Sequence, residues 1–154
     1  MIVFAFGAKV NPGVMARLCP EYRTIGVARL MDYRLCFPRY SRAYNSVAAS
    51  MEPHSGSAVW GVLYEVQPHD EPVLNHHEGY DPRGPITINE HIQREVRVLR
   101  MGGSEPVKAM AYFAVPDGTT ARPSTSYLQS IIDGAEYHGL PLAYLASLNA
   151  IRGG

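Results

Sequence analysis

The stretch "NHHEGY", residues 75–80, sets two histidines and a carboxylate in a row and stops them at a glycine. Three readings fit those residue types: a metal site, a proton-transferring carboxylate, or the polar end of a surface helix. Spacing argues against the first. Successive residues on a helix point about 100° apart, so His76, His77 and Glu78 cannot close around one ion, and helical zinc motifs place their histidines four residues apart for that reason. His69 and His77, or His54 and His91, offer remote ligands, but no spacing links them. Glu78 is the better candidate. A helix opened by Asp70, Glu71 and Pro72 and ended at Gly79 puts Glu78 in the last turn, beside the negative end of the helix dipole and four residues after Leu74, at the edge of the buried face. Both influences disfavour the charged form and predict a pKa raised from about 4.3 toward the range of about 6 to 7 that suits a proton carrier. A solvated glutamate at a helix end satisfies the same pattern, and position alone leaves both open.

The second place where chemistry could sit is "FGAKVNPG", residues 6–13. It runs from an apolar strand through Gly7 to a helix opening, so backbone N–H groups there can face an anion or a developing oxyanion, with Gly7 admitting a ligand close to the backbone. Plain chain reversal explains the same residues. No GxSxG elbow frames a serine nucleophile. Cys19 and Cys36 form no CxxC pair, and two free thiols in a reducing compartment account for them, with a disulfide left open.

The elements that must position these residues are mostly strands at first and helices later. "IVFAF" is a short apolar strand. "TIGVARLMDYRLCF", "SVAASME", "AVWGVLYEV", "IQREVRVLR" and "VKAMAYFAV" complete the set, the last with Val107, Ala109, Ala111, Phe113 and Val115 on one face. Gly61 inside a strand marks a bend or a close approach. Asn11 and Pro12 open a helix through about Leu18, Asp70 opens one that ends at Gly79, and Ser124 caps a third with Tyr127, Leu128, Ile131, Ile132 and Ala135 as its apolar stripe. Pro141 starts a last helix with Leu142, Leu145 and Leu148 inward. Six or so strands and a few helices, without strict alternation, predict an α+β fold: a small mixed β-barrel-like sheet with flanking helices.

Composition excludes several classes. One domain spanning residues 1–154 is expected from the length and the lack of any repeat or linker. With 14 basic and 14 acidic side chains and no cluster of Lys and Arg, the chain has no electrostatic grip for nucleic acid. The apolar N-terminal run ends at Gly7, too short for a signal peptide or a membrane span, so a cytoplasmic protein with no membrane partner is expected. Oligomeric state stays open, a homodimer included.

Several of these segments together resemble the γ-glutamylcyclotransferase (AIG2-like) family. "VFAFGAKVNPGVMARLCPEYRTIGVARLMDYRL" is similar to that family's opening strand ending in YGSN, its helix and its VARLxDYxL strand, and the spacing from Gly7 to "VARL" matches without a gap. "VWGVLYEV" resembles the next core strand, "LNHHEGY" the LDxxEG segment that carries the catalytic glutamate, and "ARPSTSYLQSIIDGAEYHGLPLAYLASL" the closing PSxxY helix and GLPxxY segment. The resemblance covers nearly the whole chain in order. It implies a small mixed β-barrel with flanking helices and an enzyme that cyclises an L-γ-glutamyl group, releasing 5-oxoproline and the amine or amino acid it was attached to. No cofactor or metal takes part in the chemistry so implied. Glu78 is then the general acid and base. The stretch matching Val3, Phe4, Ala5, Phe6, Gly7 and Ala8 lines the substrate site, and the tyrosine matching Tyr127 reaches it.

The opening departs from the family pattern: YGSN is FGAK here, with Phe6 lacking a hydroxyl, Ala8 lacking the serine side chain, and Lys9 in place of asparagine. Lys9 is expected to point to solvent, with pairing to a substrate carboxylate as the alternative. His91 falls where the family often has an aromatic residue. The YGSL-type opening of the glutathione-specific branch is not matched. Two competing readings remain: a binding module for a γ-glutamyl compound or another small carboxylate, and a metal-dependent hydrolase built on the histidines.

Overall fold

The computed structural model describes residues 1–153, with side chains to Ile151. Five strands close into a barrel in the order β1-β3-β2-β4-β5. β1 (Ile2–Ala5) is apolar on both faces, with Val3, Phe4 and Ala5 all buried, and both its edges are paired: antiparallel with β3 (Ser46–Glu65), Val3 opposite Tyr64, and parallel with β5 (Pro106–Ala114) at Met110, which closes the ring. β2 (Arg23–Ser41) and β3 form one long hairpin, while β4 (His91–Arg100) pairs with both β2 and β5. The expected mixed barrel with flanking helices is the observed fold.

One boundary differs. "SVAASME" and "AVWGVLYEV" are two halves of β3 and not separate strands. Between them, Met31 faces Ala58 and Tyr33 faces Pro53, so residues 54–57 stand against Asp32 alone. Asp32 and Gly56 take left-handed backbone, φ 64 and 84, and the Gly56 N–H donates to the Asp32 carboxylate at 3.0 Å. That bulge absorbs a proline and a glycine that would otherwise end a strand.

The helices begin and end where their caps dictate. α1 (Pro12–Leu18) follows Asn11, whose side chain accepts from Gly13 N, with Pro12 at its first position. α2 (Glu71–Glu78) ends on Gly79 at φ 68, the left-handed stop that glycine takes at least cost. α3 (Thr125–His138) is capped by Ser124, which accepts from Tyr127 N at 3.2 Å, and α4 (Leu142–Gly153) closes the chain. Leu128, Ile131, Ile132 and Ala135 of α3 are buried as the stripe predicts. The closest helix contact is at Gly134: a Cβ there would lie 2.5 Å from the Val10 carbonyl carbon, so α3 seats directly on the 3₁₀ turn Ala8–Val10 that follows β1. Asn11 adds a side-chain bond to Ser130 O at 3.1 Å.

Candidate active site

Three elements bring their ends together. The first is the exit of β1, residues Phe6 to Lys9. The second is the C-terminal turn of α2, where Leu74 is fully buried and Glu78, one turn later on the same side, is 6% exposed. α2 is fixed to the barrel by polar contacts: Tyr112 Oη of β5 donates to Asn75 Oδ1 at 2.7 Å, and Gln93 Nε2 of β4 donates to Asn75 Oδ1 at 2.6 Å and to Glu71 at 3.0 Å. The third is the first turn of α3, which supplies Tyr127. Phe4, Ala5, Phe6, Gly7 and Ala8, with Glu78 and Tyr127, line one cavity of about 20 Å³, room for about one water. Lys9, Tyr44, Ala48, Ala49, His91 and Tyr112 complete its wall. Val3 does not reach it: its side chain is fully buried in the barrel wall between Tyr64 and Met110 and outside the lining, a correction to its expected place.

Lys9 also differs from expectation. Instead of pointing to solvent it is 9% exposed, and its ammonium is bonded to Glu78 Oε1 and stands 5.2 Å from the Tyr112 ring centroid. The 3₁₀ turn causes this, because it winds the chain back over the barrel after Gly7, and Tyr64 Oη holds the turn by donating to the Lys9 carbonyl at 2.9 Å. His91, at the start of β4, is 2% exposed. Its Nδ1 donates to the Glu78 carbonyl at 3.0 Å and lies 3.6 Å from Glu78 Oε2. His77 lines the far side of Tyr44, bonded to its hydroxyl at 2.7 Å, while His76 is exposed. Among the described residues, no group of three or more His, Cys, Asp or Glu side chains is placed to hold an ion.

This electrostatic setting reverses the predicted shift of Glu78. Burial is the largest influence and pushes its pKa up, but the charges of Lys9 and His91, the Lys9 hydrogen bond and His77 together outweigh it and hold the carboxyl below the usual range. The carboxyl is therefore ionised at neutral pH. Burial drives the Tyr44 and Tyr127 hydroxyls well above their ordinary pKa and lowers that of His77, so at neutral pH all three are uncharged.

The Tyr127 oxygen accepts from Ala49 N at 2.8 Å. Gly7 permits this, since a Cβ there would sit 3.2 Å from Tyr127 Oη. The Tyr127 side chain lines the cavity, with its hydroxyl held by Ala49. Beyond Tyr127 a groove of about 290 Å³ shares Ala8, Tyr44 and Tyr127 with the cavity and is edged by Arg17, Ser126 and Ser130.

A closed barrel with a carboxylate, an ammonium and a tyrosine hydroxyl gathered around one small cavity is the form of a small-molecule site. The chain belongs to the AIG2-like family, whose model matches residues 58–148. Gamma-glutamylcyclotransferase of Homo sapiens is 27% identical over 155 residues, covering 98% of this chain and 78% of the relative. The Mus musculus protein of the same name is 26% identical with the same coverage. A solved gamma-glutamyl cyclotransferase structure superposes with a TM-score of 0.86 at 25% identity, covering 97% of this chain and 86% of that one. YkqA from Bacillus subtilis shares the fold, with a TM-score of 0.76 at 20% identity over 97% of this chain and 53% of its own.

Proposed function

We propose that this protein is a γ-glutamyl cyclotransferase, converting an L-γ-glutamyl amino acid or amine to 5-oxoproline and the free amino acid or amine, with Glu78 as general acid and base. The observation that carries the reading is Glu78: an ionised carboxylate buried in the cavity lined by the β1 exit, in a chain whose relatives bear that name.

The reaction asks for folding and proton traffic. The α-amine of the substrate attacks its own γ-carbonyl carbon, so holding the chain in a near-ring shape replaces a bimolecular encounter, which reaches effective molarities of about 10⁵ M or more in well-oriented cases. Glu78 takes a proton from the α-ammonium, the new C–N bond forms, and the carbonyl oxygen becomes an oxyanion. As the tetrahedral intermediate collapses, the bond to the leaving nitrogen breaks, Glu78 returns that proton to it, and the second proton of the attacking nitrogen passes by way of Glu78 to the released amine, which departs as an ammonium while the ring keeps one N–H. General acid–base help of this kind contributes about 10² to 10⁴-fold. The Tyr127 hydroxyl, in the cavity wall, donates to the oxyanion, beside the backbone N–H groups of the turn at Gly7 and Ala8. The groove beyond Tyr127 gives the leaving group a way out.

The experiment is 5-oxoproline release from a panel of γ-glutamyl amino acids and amines, read by mass spectrometry, with Glu78→Gln in parallel. The wild type is expected to form product and the variant to lose at least about 10²-fold while remaining folded by circular dichroism. Full activity in the variant would remove Glu78 from the mechanism.

A further inference from the structure

The cavity wall carries three charged or titratable side chains, Lys9, Glu78 and His91, besides its tyrosines, and in the free protein the first two neutralise each other. A γ-glutamyl head group brings its own opposite pair, an ammonium and a carboxylate on one carbon. On the cyclotransferase reading, on which this inference rests, that ammonium must reach Glu78. If Lys9 stayed in place, two cations would crowd one buried carboxylate and the substrate carboxylate would be buried without a cation, an arrangement that burial strongly disfavours. The space agrees with the charge. With Lys9 lying on Glu78 the cavity has room for about one water, and withdrawing the Lys9 side chain would open space directly beside the carboxylate. Lysine has a flexible four-carbon stem, and the backbone of Lys9 is held by Tyr64, so the ammonium can move while its anchor stays.

We infer that Lys9 is the receptor for the α-carboxylate of the γ-glutamyl group: the substrate's ammonium and carboxylate replace the Lys9–Glu78 pair by two new pairs, ammonium with Glu78 and carboxylate with Lys9. The exchange keeps every buried charge compensated. It also couples recognition to chemistry, because Glu78 gives up its strongest cationic partner as it meets the proton it must take. Lys9 thus selects γ-glutamyl compounds with a free α-carboxylate over those in which that group is an amide.

The test compares γ-L-glutamyl-L-alanine with the same compound carrying an α-carboxamide, on wild type, Lys9→Met and Lys9→Arg. Wild type should prefer the free carboxylate by about tenfold to hundredfold in kcat/KM, the worth of one hydrogen bond to a charged group. Lys9→Met should lose most of that preference, chiefly through KM for the carboxylate substrate, and Lys9→Arg should keep it. Equal use of the two compounds by wild type, or an undiminished preference in folded Lys9→Met, would overturn the assignment. Equilibrium titration of the same two compounds into Glu78→Gln and into Glu78→Gln/Lys9→Met keeps the outcomes separate. Absence of product from every substrate defeats the cyclotransferase reading, whereas binding that favours the carboxylate only when Lys9 is present still supports the receptor, and binding indifferent to Lys9 overturns it.

Discussion

Glu78 was legible because two local signals converge on it, the Gly79 stop and its place one turn after buried Leu74. Its protonation was not, because the cation that sets it lies 69 positions away, on a turn whose inward winding is decided by packing against α3. His91 reaches the site by strand pairing alone, opposite Ala114, and a sequence position cannot report the pairing of β4 with β5. Tyr127 could be placed near the substrate by resemblance, but its hydrogen bond from Ala49 could not. If its hydroxyl donates to the oxyanion, Tyr127→Phe should lower kcat by about 10² to 10³-fold, the usual loss for one such donor, with a smaller change in KM. The same variant leaves the N–H of Ala49 without its acceptor, which should cost about 1–3 kcal/mol of stability. Rate measured alongside thermal melting separates the two; a loss in melting temperature with unchanged kcat would reduce Tyr127 to a structural support.

At the level of elements, the helix ends were the most readable parts because each is marked by its own residue chemistry: Asn11 with Pro12, Ser124, Gly79 and Gly139. The β2–β3 hairpin was the least readable, since residues 53–56 carry turn residues that the bulge opposite Asp32 absorbs without ending the strand. Nothing local signals that Gly134, in the middle of α3, is the seat of that helix on the 3₁₀ turn. In an unobstructed helix, replacing glycine by alanine stabilises by about 0.5–1 kcal/mol. Here the added methyl would meet backbone carbon of Val10 at 2.5 Å and its carbonyl oxygen at 2.6 Å, neither of which a rotamer change can move. Gly134→Ala should therefore destabilise by about 1–3 kcal/mol, the opposite sign, and lower activity as well, because the displaced turn carries Lys9 and borders Tyr127. Denaturant unfolding against Gly103→Ala, where the nearest atom to a new Cβ is 3.4 Å away, is the measurement; a more stable Gly134→Ala would show that α3 seats elsewhere.

Over the whole molecule the mix of strand and helix signals pointed to a barrel-like sheet with flanking helices, and its closure comes from β1 pairing with β5 as well as with β3. What the closure adds is burial of titratable groups, and this gives the fold a direction on the pH scale. Burial lowers the pKa of His77 and of His138, the latter lying 3.2 Å from the Tyr64 hydroxyl that holds the Lys9 turn. A histidine whose folded pKa is lowered binds fewer protons than in the unfolded chain, so its cost is absent above the unfolded value of about 6.5 and grows as pH falls below it. Glu78, also lowered, adds the same sign at more acid pH, with its contribution present above about 4.3 and lost as pH falls through the folded value. Stability should thus be level near pH 7 to 8, fall by a few degrees in melting temperature as pH drops from about 6.5 to 5, and fall again below about 4.3. His138→Gln should flatten the first fall without touching the second, whereas Glu78→Gln should flatten the second and deepen the first, because the Glu78 charge also raises the His77 pKa. Melting curves across that range read both, and a first fall equally steep in His138→Gln and wild type would assign the acid sensitivity to His77 or to other groups.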